Sequence, residues 1–193
     1  MILVVDHYDS FTYNLVQLFE SLGAETEVVK SDAESASALV ALAPDAVVLS
    51  PGPGRPEDAG CFTELLRLLP DETPVLGVCL GHQAMGLVAG GRVERSTPVH
   101  GKASLVHHHG AGILAGLPDP FEAGRYHSLV VTREGLPEEL ELTAWSDDDL
   151  VMATQHRELP RFGVQFHPES ILTPDGPAIV RTFLALTRER RAG

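Results

Sequence analysis

Two separated segments of this chain carry residue types that together can perform nucleophilic catalysis. In Gly77-Val-Cys-Leu-Gly81, Cys79 stands between two glycines directly after the apolar run Pro74-Val-Leu76. A strand that enters a helix through G-x-C-x-G turns sharply, needs residues without a Cβ on either side, and leaves the central side chain proud of the sheet edge. Far downstream, His167-Pro-Glu169 closes a second apolar-alternating segment, Phe162 to Phe166. A thiol, an imidazole and a carboxylate are the parts of a Cys-His-Glu triad.

Energetics say what such a thiol needs. An ordinary cysteine, with a pKa of about 8.5, is only about 3% thiolate at neutral pH, and lowering that pKa by two units takes about 2.7 kcal/mol. A helix beginning at Leu80 supplies about 0.3–1 kcal/mol, at most about 2. A base or imidazolium is therefore required. His167 fills that role if its strand ends beside the elbow, and Glu169, two residues on in an extended segment held by Pro168, orients the ring. Taken singly, each residue has a plainer role: a small buried residue at a strand top, a strand-end histidine bonded to backbone, a solvated carboxylate. The glycines around Cys79 and the His-Pro-Glu spacing favour the joint reading. Ser50-Pro-Gly-Pro-Gly54 alone is a tight turn. At the end of a central strand beside the elbow, it can aim the Gly52 N–H at a developing oxyanion, with the Leu80 N–H as second donor.

These groups must be positioned by strands and helices that the hydrophobic pattern marks out. Strands are expected at Ile2–Val5, Thr26–Val29, Ala46–Leu49 and Val75–Val78, alternating with helices at Tyr13–Leu22 (Gly23 as C-cap), Ala36–Leu42 and Phe62–Leu69. Continuous apolar runs alternating with helices mark a parallel sheet covered on both faces, with ligands beyond the carboxyl ends of its strands. From Gly91 the pattern shifts to short alternating segments, including Leu142–Trp145, Leu150–Ala153 and Phe162–Phe166, which are expected to add antiparallel strands. A last helix, from about Pro174 to Arg190, carries Ile179, Phe183 and Leu186 on one face and ends in a basic tail, Arg188 to Gly193, expected to fray. The expected fold class is α/β: an open, mostly parallel central sheet with helices on both faces and a smaller antiparallel region, in a single domain over residues 1–193.

Composition narrows the partners. The 193 residues are 44% hydrophobic, enough for a substantial core, and the net charge of -13 leaves no electrostatic footprint for nucleic acid. No apolar run approaches the roughly 18 residues of a membrane span, and Met1-Ile-Leu-Val-Val-Asp6 lacks a basic leader. With only Cys61 and Cys79, in unlike contexts, no disulfide is expected. A cytoplasmic, reducing location follows as the expectation. His107-His-His109 does not read as a metal site, because neighbours on a strand point to opposite faces and no companion ligand set accompanies them. Asp147-Asp-Asp149 reads as a solvated turn without functional weight.

The chain closely resembles the class I glutamine amidotransferases, and within them the small subunits of anthranilate synthase and aminodeoxychorismate synthase. The resemblance rests on Asp9-Ser-Phe-Thr-Tyr-Asn-Leu15, Leu49-Ser-Pro-Gly-Pro-Gly54, Gly77-Val-Cys-Leu-Gly-His-Gln83, His100-Gly-Lys102, Arg125-Tyr-His-Ser-Leu129 and Phe166-His-Pro-Glu-Ser170, and it covers nearly the whole chain. It implies hydrolysis of L-glutamine: Cys79 attacks the side-chain amide, His167 passes a proton to the departing ammonia, Glu169 orients His167, and water resolves a glutamyl thioester. It implies that Gly52 and the Leu80 amide form the oxyanion hole and that Pro53, Gly54, Gln83, Ser128 and Leu129 line the glutamine pocket. It implies a heteromeric partner, the large subunit of a chorismate-using synthase, with Ser10-Phe-Thr12 and His100-Gly-Lys102 facing it. It implies no cofactor on this chain, any Mg2+ belonging to the synthase partner. The alternatives are an amidotransferase subunit of another biosynthetic pathway and, from a different class, a non-catalytic regulatory subunit on the same fold.

Overall fold

Alternation inside the apolar runs decides the layering. A computed structural model describes residues 1–192, with side chains through Arg188; the basic tail from Arg188, expected to fray, continues the last helix as far as Ala192. The first half runs β1 (Ile2–Asp6), α1 (Thr12–Ser21), β2 (Thr26–Lys30), α2 (Ala36–Ala41), β3 (Ala46–Leu49), α3 (Phe62–Leu68), β4 (Val75–Val78) and α4 (Leu80–Val88). In β1, Ile2 and Val4 face one side and Leu3 and Val5 the other; β3 splits likewise into Ala46 with Val48 and Val47 with Leu49. One side packs on Leu15, Val16 and Phe19 of α1, the other on α2, α3 and α4 through Leu39, Leu65 and Leu80. This is why these strands read as unbroken apolar runs: both faces are covered.

The second half contributes β5 (Val93–Arg95), β6 (Lys102–His108), β7 (Phe121–Arg125), β8 (Leu129–Val131), β9 (Leu140–Ser146), β10 (Val151–His156), β11 (Arg161–Val164) and α5 (Gly176–Ala192). A nine-stranded sheet has the order β2-β1-β3-β4-β11-β10-β9-β6-β7, and β5 pairs with β8 apart from it. The antiparallel addition holds for β10, β9, β6 and β7. The Phe162–Phe166 segment departs from that expectation. As β11 it lies parallel to β4, with Gly163 opposite Gly77 and Val164 opposite Val78, and becomes the fifth parallel strand. A fully covered strand and an edge strand of this length carry the same short apolar pattern, so periodicity did not distinguish them. Helix α5 joins α1 on one face through Ile179, Val180 and Phe183. It starts two residues later than expected, because Asp175 belongs to the preceding turn and accepts from the Ala178 and Ile179 amides.

Sequence-local devices fix the ends. Ser35 caps α2 by accepting from the Ala38 N–H at 3.2 Å, and Gly23, at φ +82°, ends α1 as expected. The first turn of α4 sits against the end of β3: a Cβ on Gly81 would lie 2.4 Å from the Leu49 carbonyl oxygen. Gly81→Ala should therefore destabilise the protein by about 1–3 kcal/mol, the usual cost of overpacking. Urea unfolding at equilibrium checks this.

Candidate active site

The elbow joins β4 to α4 at Cys79, whose backbone stands at φ +51°, ψ −98°. A non-glycine residue there holds strain of about 1–3 kcal/mol and persists only where its surroundings over-determine it. They do: the Cys79 N–H donates to the Val164 carbonyl at 2.8 Å and its carbonyl accepts from the Gln83 N–H at 3.0 Å. The flanking glycines have a different duty from adopting the turn. A Cβ on Gly77 would lie 2.6 Å from the Gly81 carbonyl carbon, so the glycines permit close approach while the cysteine bears the strain. The side chain is not proud of the sheet edge as expected. Cys79 is only 7% exposed.

Because β11 runs parallel to β4, the chain leaves both strands at the same edge, and His167 arrives beside the elbow. Its N–H donates to the Gly124 carbonyl at 3.0 Å, and its carbonyl accepts from the Thr173 hydroxyl at 2.7 Å. That hydroxyl in turn accepts from the Gly124 N–H at 2.9 Å. The extended His-Pro-Glu geometry is not what the structure contains. Ser170 N–H donates to the His167 carbonyl at 3.1 Å, closing a turn with Pro168 at its second position, where the ring's fixed φ suits it. The turn still brings Glu169 to the ring, with Oε1 at 2.7 Å from Nδ1 of His167. The carboxylate can only accept, so Nδ1 carries the proton and Nε2 is left for the sulfur. Among the described residues that Nε2 has no partner of full hydrogen-bond geometry. Burial works against an imidazolium here, but the neighbouring Cys79 sulfur and Glu169 carboxylate outweigh it and hold the His167 pKa up, at about 10.

Aromatic rings close over the base. Tyr126 and Phe11 pack edgewise on His167 with centroids 4.9 and 5.7 Å away, and the Tyr126 hydroxyl lies 3.0 Å from Ser170 Oγ. Phe11 is positioned by the loop after β1. Buried Asp6 accepts from the Thr12 hydroxyl at 2.8 Å and the Asp9 N–H at 3.1 Å, and it pairs with Lys30. Thr12 is thus buried, which corrects its placement on a partner-facing surface; Ser10 and His100–Lys102 are exposed. Gly52 lies where expected, against the elbow. A Cβ there would stand 2.7 Å from the His7 carbonyl oxygen and 2.8 Å from Leu80 Cδ2, so the loop packs directly on the first residue of α4, whose amide has no intrahelical partner. Gln83 is buried and donates to the Leu129 carbonyl at 2.9 Å, joining two of the expected pocket residues. Pro53, Gly54 and Ser128 are exposed in the flanking loops, and among the described residues no hydrogen bond ties their side chains to the Cys79 cluster.

Sequence reasoning did not single out Gln165, His82 or His127, all buried around the elbow. The His82 ring fits because β11 has Gly163 beneath it: a Cβ there would lie 2.4 Å from Nδ1. Burial pushes the His82 pKa down to about 3. Burial, with the Arg125 charge second, pushes His127 down to about 4. Both are neutral imidazoles. The Asp147–Asp149 turn carries more than solvent. Asp148 pairs with the buried Arg125 at 3.1 Å, while Asp147 meets His107 at 2.8 Å. His108 points the other way, packing on Phe121 and meeting the Pro118 carbonyl at 2.9 Å, as strand alternation requires.

The family model for class-I glutamine amidotransferases matches residues 3–186. The chain is 50% identical over 190 residues to anthranilate synthase component 2 of Pseudomonas aeruginosa, covering 95% of this chain and 94% of the relative. It is 46% identical over 185 residues to aminodeoxychorismate synthase component 2 of Escherichia coli, covering 95% of this chain and 99% of the relative. A solved structure from Thermoplasma acidophilum, described provisionally as part of a GMP synthase, superposes with a TM-score of 0.88 at 28% identity, covering 99% of this chain and 95% of that one. No helix among the described residues is long and apolar enough to cross a membrane.

Two outcomes follow from the histidines. His82 and His127 titrate at 6.5 when unfolded and far lower when folded, so the unfolded chain binds more protons in acid and stability should fall as pH drops from about 6.5 towards 4. The contribution of His167 has the opposite sign. It is complete below 6.5 and disappears as pH rises through about 10, so urea unfolding measured across pH should show stability declining on both sides. Separately, Glu169→Gln removes a carboxylate that favours the imidazolium. Histidine NMR titration should then place His167 below its wild-type value of about 10.

Proposed function

The chain belongs to the class-I glutamine amidotransferases, and from that premise we propose that its elbow site hydrolyses L-glutamine and passes the ammonia to a chorismate-aminating synthase. The observation that carries this reading is the ordered set Cys79, His167 and Glu169, with Glu169 on Nδ1 and Nε2 left to the sulfur. The Cys79 sulfur attacks the side-chain amide carbon, and the Gly52 and Leu80 amides receive the oxyanion. His167, cationic at neutral pH, gives its Nε2 proton to the departing ammonia. Now neutral, it takes a proton from the water that opens the glutamyl thioester, which restores the thiolate and the imidazolium. Glu169 keeps the ring oriented and stabilises its charged form throughout.

Gln83, Leu129, Ser128, Pro53 and Gly54 border the glutamine pocket in this reading. Gln83 uses its amide N–H groups on the Leu129 carbonyl and on Gln165, which leaves its own carbonyl oxygen for the substrate. The partner is the large subunit of an anthranilate or 4-amino-4-deoxychorismate synthase, as the component 2 relatives suggest. Its docking face includes Ser10, His100–Lys102 and Ile171, the last 95% exposed two residues beyond Glu169. Phe11 then lies one ring contact from His167, so a partner seated there touches the loop that packs on the base. Any Mg2+ requirement belongs to that partner.

Reconstitution tests this. With the large synthase subunit, chorismate and glutamine, Cys79→Ala should lower aromatic product formation by at least about a thousandfold, while ammonia supplied as a salt still supports synthesis. Equal ammonia release from glutamine by mutant and wild type would overturn the reading.

A further inference from the structure

Gln165 stands between the glutamine pocket and the nucleophile. It is 0% exposed, one residue beyond the end of β11, with its backbone N–H donating to the Met152 carbonyl at 2.8 Å. Its side-chain Nε2 donates to the Cys79 sulfur at 3.5 Å, and its Oε1 accepts from Gln83 Nε2 at 3.2 Å. Gln83 Nε2 also donates to the Leu129 carbonyl at 2.9 Å.

These bonds fix which way both carboxamides face. A backbone carbonyl can only accept, so Gln83 must turn its NH2 group towards Leu129. The second hydrogen of that group reaches Gln165, which must therefore answer with its oxygen. The Gln165 NH2 is then directed at sulfur. Flipping either amide sets two donors or two acceptors face to face in a buried site, where an unmatched polar group costs most. One main-chain carbonyl thus dictates, through two side chains, that the sulfur meets an N–H and not a lone pair.

We propose that Gln165 is a further catalytic residue, donating a hydrogen bond that holds the Cys79 sulfur as an anion at the two stages of the reaction where it carries charge. The proposal rests on the amidotransferase reading above. In the first stage the thiolate forms a bond to the amide carbon, the carbon–nitrogen bond breaks, and ammonia leaves with the proton from His167. In the second, neutral His167 takes a proton from water as its oxygen bonds to the thioester carbon. The carbon–sulfur bond breaks, leaving glutamate, thiolate and imidazolium. His167 gives up its charge between these stages. A carboxamide does not ionise, so Gln165 supports the sulfur identically at both, and a bond to the ionised sulfur is stronger than one to a neutral thiol.

The experiment is iodoacetamide alkylation of the full chain, followed by mass spectrometry across pH. Cys61 serves as an internal silent thiol, since burial pushes its pKa up to about 11. Gln165→Glu keeps the side-chain shape but faces the sulfur with an acceptor, and Gln165→Leu removes the donor. Each should slow Cys79 alkylation at pH 7 by about tenfold or more and move its profile to higher pH, the order of effect expected when a charge-directed donor is lost. Wild-type rate and profile in either variant, with the melting temperature retained, would overturn the proposal. In wild-type protein, where no variant need fold, the Gln165 side-chain amide NMR signals should shift as Cys79 ionises and again on alkylation. Signals unmoved by both would overturn it too. These readouts need no glutamine, so they stay separate from the reconstitution that tests the function itself.

Discussion

Because β4 and β11 run parallel and in register, with Gly77 opposite Gly163 and Val78 opposite Val164, their carboxyl ends deliver Cys79 and His167 to one edge of the sheet. The same ladder continues past the strands: the Cys79 N–H is held by the Val164 carbonyl, so the nucleophile is tied to the strand that leads to the base. Gln165, between Val164 and Phe166, inherits its position beside the sulfur from that register. A slip of one residue would turn each of these side chains to the other face. Position at this site is therefore set by main-chain geometry before any side-chain contact is made.

Around that ladder, strain and close packing support each other. The left-handed backbone of Cys79 is unfavourable by itself, and it survives because α4 is pinned between β3 and β11 with no room to relax. Gly81 lies on the Leu49 carbonyl, Gly77 against Gly81, and Gly163 under the His82 ring. Gly176 repeats the device at the base of α5, where a Cβ would collide with the Pro168 carbonyl. These glycines serve contact distance more than torsional freedom. The polar groups are arranged in the same spirit: neutral His82 and His127 lie deep, while the charge on His167 is matched by Glu169.

Much of this was readable beforehand, for identifiable reasons. The first four strands alternate with helices whose apolar faces repeat at helical spacing, and the observed bounds differ from the expected ones by a residue or so. The elbow was visible because glycine, cysteine and glycine after an apolar run have few other uses. The orientation of β11 was hidden, since a central parallel strand of four residues looks like an edge strand until its neighbours are known. So was the turn at Pro168: a proline permits either an extended link or a tight one, and the hydrogen bond from Ser170 to His167 decides between them. Gln165 and His82 gave no signal, because the meaning of a buried amide or imidazole lies in partners far away in sequence. Asp148 was misjudged for the same reason, its partner Arg125 being invisible in a run of three aspartates.

The placement of β11 at the centre of the sheet also governs the order in which the protein can mature. As the chain is synthesised, β1 to β4 and the elbow emerge long before Arg161, and β4 has only β3 beside it. Its other edge is an open row of amides and carbonyls until β11 inserts between it and β10, a non-local step of the kind that folds slowly. The His167 arm is then locked from Gly124, Thr173 and the start of α5. The thiol consequently exists for a time without its base, and a nascent or prematurely terminated chain carries a cysteine that has not yet been armed.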